Sequence, residues 1–170
     1  MRSHWREAMK DAWRGVSLAN AVAGMVAGAG GALAIGIMEW FSLNTRYPLA
    51  AIPFATSIVL VIGAPEAEPA QPRALIGGHL VSTMVGLAVL KVTGPAAWAA
   101  ALAVGLAILA MYLTATFHPP AGIDPLLVVA NNLAWTFLFV PVLAGALLLT
   151  LFACVWHRLL RRRHWPQRWL

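Results

Sequence analysis

The sequence predicts an all-α, polytopic membrane protein, and three observations support this fold class. Of 170 residues, 61% are hydrophobic and only 11% are charged, with a mean hydropathy of +0.76. A soluble domain of this size needs a polar surface that this composition cannot cover. In addition, nine of the twelve Lys and Arg residues precede the first apolar run or follow the last one. Because basic flanks stay on the cytoplasmic side, we expect a helical bundle with both termini in the cytoplasm.

Six apolar runs are present, and they differ in length. Four of them reach the roughly 20 residues that cross a hydrocarbon core, and these cover 18–41, 74–92, 96–117 and 134–157. Two others, 47–63 and 119–132, are shorter and broken by proline. Two cytoplasmic termini require an even number of crossings. Either all six segments cross, or both short segments are re-entrant and four cross; the charges between the segments leave both topologies open.

The order of the segments predicts an internal repeat. Each half reads as a long span, a short proline-broken segment and a second long span. One register lays 54–61 on 121–128, and another lays 47–52 on 118–123. Three crossings in each half would make the two halves an inverted repeat. Short, interrupted segments at matching places in two halves are typical of transporter binding sites.

The chain divides into three regions by composition. Residues 1–17 form an amphipathic pattern that predicts an interfacial helix, 18–160 form the membrane domain, and 161–170 form a basic cytoplasmic tail. The net charge of +6 comes from the flanks, so we expect no nucleic-acid partner. Small residues such as Gly24 and Gly28 predict close helix packing. Since so small a bundle leaves little room for an internal path, we expect a homo-oligomer.

The segment 117–127 carries the most informative pattern. His118 precedes a proline and is therefore biased away from helical geometry, while Asp124 followed by Pro125 predicts an N-cap and the first position of a new helix. Unwound backbone at membrane depth occurs where it lines a cavity, and the restarted helix would direct its positive end at the break. The pattern predicts an ion site. The alternative is an ordinary loop at the membrane edge.

Further polar residues lie near the predicted break. Ionisable residues within membrane segments are functional candidates, so Asp124 and His118 could form a proton-linked pair. His79 lies near the start of a span, where we expect it to be buried against a backbone carbonyl. Thr56 and Ser57 of the first half are expected to face Gly122 and Asp124 of the second.

No pattern of a known catalytic centre is present in the sequence. GxSxG, HExxH, phosphate-loop and CxxC patterns are all missing. We therefore expect neither an enzyme nor a bound metal or cofactor. An intramembrane enzyme would have to use His118 with Asp124, or His79 with Ser82.

Several of these motifs together resemble the HPP family of integral membrane proteins. The resemblance rests on His-Pro-Pro-Ala-Gly at 118–122, Gly-Ala-Pro-Glu at 63–66, Gln-Pro-Arg at 71–73, Gly-Gly-His at 77–79 and the run 141–147. It covers about residues 18–160. Family members are described as having four membrane spans, and some in chloroplasts and cyanobacteria are implicated in nitrite transport.

The resemblance implies a bacterial inner-membrane protein that moves a small anion such as nitrite. Asp124 departs from the family, where this position is often asparagine. A carboxylate beside an anion path would repel the anion unless it is protonated or paired, so proton coupling is one implication. The other interpretation is a membrane scaffold without transport. The candidate substrate-binding residues are Thr56, Ser57, Arg73, His79, His118, Pro119, Pro120, Gly122 and Asp124.

Overall fold

The computed structural model describes residues 17–45, 52–162 and 164–169, and this part of the chain contains helices and turns but no strand. The α-helices are α1 (Leu18–Thr45), α2 (Ala55–Gly63), α3 (Pro72–Thr93), α4 (Ala97–Leu113), α5 (Ile123–Ala130) and α6 (Ala144–Val155). A short 3-10 turn leads into each of the two short helices: Ile52–Phe54 precedes α2, and Pro119–Gly122 precedes α5. π-helical segments, Leu138–Leu143 and Trp156–Leu160, extend α6 at both ends.

The helices confirm the predicted all-α membrane bundle. Each of the six apolar runs forms a helix, and three of them are long and apolar enough to cross a membrane: Leu18–Thr45, Pro72–Thr93 and Leu138–Leu160. The predicted span 96–117 is shorter than expected, because α4 ends at Leu113. There the Thr114 hydroxyl donates to the Ala110 carbonyl, and Ala115 adopts a positive φ of 52°. The predicted interfacial helix at 1–17 falls almost wholly outside the described residues.

The two halves repeat both the order of their elements and their packing. In each half the first long helix packs against the short helix that follows it, α1 on α2 and α4 on α5. The third helix of each half instead packs against the first and short helices of the other half. The halves are therefore interlocked, with α3 and the helix 138–160 in contact at the centre.

Helix α1 is far less enclosed than α3. Only Gly30, Ala34, Met38 and Ser42 of α1 are buried, and they lie on one stripe that faces the bundle. Gly30 permits the closest contact of this stripe, since a Cβ there would meet the Trp156 ring. The rest of α1 presents apolar side chains outward, which suits lipid or a second copy of the chain. The homo-oligomer stays a prediction.

Candidate functional site

A fully buried histidine on α3 joins the two short helices. The Nδ1 atom of His79 lies 2.7 Å from Oδ2 of Asp124 on α5, and its Nε2 atom lies 2.9 Å from Oγ of Ser57 on α2. All three side chains have an exposure of 0%. His79 therefore connects the interrupted segments of both halves through its two ring nitrogens.

The hydrogen bonds continue beyond Ser57. The Ser57 Oγ atom also lies 2.8 Å from Nε2 of His118, which is likewise 0% exposed. The Nδ1 atom of His118 lies 2.6 Å from the Pro69 carbonyl oxygen. An unbroken line of four hydrogen bonds thus runs from Asp124 through the bundle to the loop that precedes α3. We call it the buried chain: Asp124, His79, Ser57, His118 and the Pro69 carbonyl.

The chemistry of the partners fixes most of the protons in the buried chain. The Pro69 carbonyl only accepts, so Nδ1 of His118 carries a proton and donates it. Nε2 of neutral His118 then accepts from the Ser57 hydroxyl. Because that hydroxyl has a single proton, Ser57 must accept from an N–H at Nε2 of His79. One proton remains between His79 and Asp124, and wherever it lies the pair has no net charge.

Neighbouring hydroxyl groups on α3 support this arrangement. Thr83 donates to Oδ2 of Asp124 at 3.2 Å, and Ser82 donates to the Ala121 carbonyl at 2.7 Å, which ties α3 to the turn before α5. The second carboxyl oxygen, Oδ1 of Asp124, is buried and has no hydrogen-bond partner among the described residues. An unsatisfied buried oxygen is costly, and such atoms often mark functional positions.

Tight packing keeps the buried chain in place. A Cβ on Gly78 would lie 2.6 Å from Cβ of His118 and 2.8 Å from the Thr116 carbonyl oxygen. Only glycine lets α3 approach the extended segment before the 3-10 turn this closely. The Phe54 ring covers His79, with a distance of 4.7 Å between ring centroids. The buried chain is therefore enclosed by protein.

Four of the predicted site residues meet in the buried chain, namely Ser57, His79, His118 and Asp124. The remaining five lie elsewhere. Thr56, Arg73 and Pro119 are exposed, and Pro120 and Gly122 are half-buried in the 3-10 turn. Arg73 donates to the Thr114 carbonyl at 3.2 Å. The expectation that Thr56 faces Asp124 is wrong, because neighbouring positions on a helix point in different directions and only Ser57 turns inward.

Three local expectations also need correction. Asp124 is not an N-cap: α5 begins at Ile123 without a side-chain cap bond, because the carboxyl group is turned toward His79. His79 is buried as expected, but it bonds two side chains instead of a carbonyl. Of the two imidazoles in the buried chain, the one that bonds a carbonyl is that of His118. Finally, Asp124 and His118 make no direct pair, because His79 and Ser57 lie between them.

Thr83 and the Pro69 carbonyl are parts of the site that the sequence did not reveal. Thr83 lies four residues after His79, a spacing that places both side chains on the same face of a helix. That spacing is a usable signal. The position of a backbone carbonyl relative to His118 has no comparable signal in the sequence.

The site also distinguishes the two possible registers of the repeat. The register that lays 54–61 on 121–128 pairs Ser57 with Asp124, and these two residues bind opposite nitrogens of His79. The same register pairs Gly78 with Gly145, a glycine of the other half whose Cβ would collide with the Phe54 ring. The structure thus supports this register, whereas the one that begins at residue 47 falls almost wholly outside the described residues.

Apolar helices that enclose ionisable side chains define a polytopic integral membrane protein. The family model described as "HPP, transmembrane region" matches residues 16–166, which is nearly the whole chain. The protein therefore belongs to the HPP family, as the resemblance of its motifs predicts.

Two curated relatives come from Dictyostelium discoideum and are named only as transmembrane proteins. Each is 40% identical to this chain over 124 residues, which is 68% of this chain and 40% or 44% of the relative. The chain thus spans less than half the length of these relatives. No solved structure matches it.

Proposed function

We propose that this protein is a membrane transporter that couples proton movement to the passage of a small inorganic anion such as nitrite. The observation that carries the proposal is the buried chain, an unbroken line of hydrogen bonds from a carboxyl group in the bundle to a loop at its edge. Ionisable residues inside membrane proteins are costly and mark ion or proton paths.

The buried chain has the polarity that proton transfer requires. When the shared proton is on Asp124, each donor points the same way: the carboxyl group to His79, His79 to Ser57, Ser57 to His118, and His118 to the Pro69 carbonyl. Each side chain between the ends both accepts and donates. The ionisable groups of the buried chain are the carboxyl group of Asp124 and the two imidazoles.

Proton coupling also addresses the conflict between Asp124 and an anion. The His79–Asp124 pair is neutral, so one added proton gives an imidazolium beside a neutral carboxyl group, with a net charge of +1. An anion would then be attracted where a lone carboxylate would repel it. Because the buried chain is enclosed, access requires movement of one half relative to the other, as in transporters built from repeats.

The remaining features of the proposal come from the charge pattern and the exposed helix. The basic flanks support cytoplasmic termini, and the bacterial inner-membrane location is what the resemblance to the family implies. The outward face of α1, where Gly24 and Gly28 have no atom within 4 Å of an added Cβ, supports a homo-oligomer packed through small residues. The proposed activity is transport and not an enzymatic reaction.

The test is nitrite uptake by proteoliposomes, with a pH-sensitive dye trapped inside, for Ser57→Ala and Thr56→Ala. Ser57→Ala removes the link between both histidines, whereas Thr56 is the exposed neighbour on the same helix. We expect uptake driven by a pH gradient to fall about tenfold or more in Ser57→Ala, as for the loss of one or two buried hydrogen bonds. Thr56→Ala should match the unaltered protein. Equal rates in both variants would exclude the buried chain as the proton path.

The second candidate is a membrane scaffold in which the buried chain only stabilises the bundle. The tight fit of Gly78 against His118 favours it, because such packing restricts movement. A scaffold would give no protein-dependent uptake of nitrite or protons, and Ser57→Ala would lower thermal stability only.

A further inference from the structure

The C-terminal segment 164–169 is folded against the loop that precedes α3. Trp165 is 1% exposed, and its ring lies 5.7 Å from that of His157. Gln71 holds the segment from the bundle side: its Oε1 atom accepts from the backbone N–H groups of Gln167 at 2.9 Å and Arg168 at 3.4 Å. Its amide nitrogen donates to the Pro65 carbonyl at 2.8 Å. The segment is thus docked through specific backbone contacts.

A cavity of about 190 Å³ lies between this segment and the bundle. Its lining residues are Glu68, Gln71, Arg73, Ala74, Ala115 and Arg168. One water takes about 30 Å³ of liquid volume, so the cavity has room for a small anion with a few waters. Glu68 directly precedes Pro69, whose carbonyl ends the buried chain. One residue that lines the cavity is therefore the sequence neighbour of the residue whose carbonyl ends the buried chain.

The charges around this cavity favour an oxyanion. The guanidinium groups of Arg73 and Arg168 belong to two different parts of the chain and line the same space. Guanidinium groups bind planar oxyanions through paired hydrogen bonds. Arg73 and Ala74 are also in the first turn of α3, where backbone N–H groups lack intrahelical partners and Gln71 provides no side-chain cap. The carboxylate of Glu68 opposes an anion, but two guanidinium groups leave a net charge of +1.

We propose that a small oxyanion binds in this cavity and bridges Arg73 of the bundle to Arg168 of the C-terminal segment. The segment is then one wall of the site, and an anion bound there holds it in its docked position. This inference deepens the proposed function and rests on it in one respect, namely that the site holds the anion before transport. Anion binding itself requires neither flux nor a gradient.

The test is calorimetric titration of sodium nitrite into the full-length protein in nanodiscs of zwitterionic lipid, at constant ionic strength. We expect saturable binding that weakens about tenfold or more in both Arg73→Ala and Arg168→Ala. Arg158→Ala is the matched control, because this exposed arginine lies in the same C-terminal region but does not line the cavity. Equal affinity in all four proteins, or no saturable binding, would overturn the proposal.

A second arm separates a free anion from the phosphate of a lipid headgroup. The titration is repeated in nanodiscs that contain phosphatidylglycerol. Unchanged nitrite affinity identifies a free oxyanion as the ligand. Alternatively, phosphatidylglycerol weakens nitrite binding to the unaltered protein but has no such effect on Arg168→Ala. The headgroup then competes for the same two guanidinium groups, which supports the oxyanion site.

Hydrogen exchange keeps the proposal falsifiable if a variant folds poorly. Nitrite should slow exchange at the amides of Gln167 and Arg168 in the unaltered protein and in Arg158→Ala, but not in Arg73→Ala. Unchanged exchange in the unaltered protein would refute the bridge. If binding fails while proton-driven uptake is observed, the site is wrong and the transporter stands; if binding holds without uptake, the transporter is wrong.

Discussion

Helices α1 and α3 are both long and apolar enough to cross a membrane, yet they occupy opposite environments. In the most apolar stretch of each helix, 17% of α1 is buried against 44% of α3. Large side chains of α1 such as Leu43 and Trp40 are 80% and 65% exposed. On α3, the polar side chains of His79, Ser82 and Thr83 are all 0% exposed.

The difference between these helices shows what identifies the interior of a membrane bundle. Apolar side chains suit lipid and protein equally well, so apolarity does not distinguish a central helix from a peripheral one. A polar side chain must find partners, and in a membrane the partners are on other helices. Helix α3, with three fully buried polar side chains, is therefore the more central of the two, and substitutions there should cost more than substitutions in α1.

The largest expected effect is the loss of His79. His79→Ala removes the partner of a buried carboxyl group. Breaking such a pair should lower the free energy of unfolding by about 3–5 kcal/mol. The measurement is reversible unfolding in detergent micelles. Asp124→Asn combined with His79→Ala should restore part of this loss, because no uncompensated charge is left. Strictly additive effects would show that the two side chains do not interact.

A smaller effect is expected from added volume at a glycine of each helix. Gly78→Ala forces a methyl group against His118 and the Thr116 carbonyl, and overpacking of this kind costs about 1–3 kcal/mol. Gly28→Ala in α1 meets no atom within 4 Å, so its effect should remain within about 0.5 kcal/mol. Thermal unfolding of both variants, measured side by side, tests the contrast. Equal melting temperatures would mean that α1 and α3 are packed alike.

The smallest expected loss comes from one hydrogen bond. Ser82→Ala removes the hydroxyl that donates to the buried Ala121 carbonyl. The loss of this hydrogen bond should lower the free energy of unfolding by about 1 kcal/mol. Leu43→Ala on the exposed face of α1 is the control and should change stability by less than about 0.5 kcal/mol. Chemical unfolding in micelles resolves this difference. A larger loss for the α1 variant would indicate that a partner covers this face.

The helices were predictable from the sequence to a greater extent than the site. Runs of apolar residues determine where helices form in a membrane, and proline marks where they break, so both short segments were expected. The end of α4 at Leu113 was missed, because it depends on the backbone turn at Ala115 and not on hydropathy.

For the candidate site, the sequence predicted which central residues take part but not how they are connected. Ser57 and His118 are 61 residues apart in sequence, and their contact depends on how the halves interlock.

The serine in the middle of the buried chain has a consequence for the kinetics. Its hydroxyl carries one proton and can point at only one of the two imidazoles at a time. When a proton has passed from Asp124 to His118, each donor between them has become an acceptor, and a second proton cannot follow until these groups have turned back. If the buried chain moves protons as proposed, passage and resetting must alternate, and each turn of the hydroxyl admits one proton.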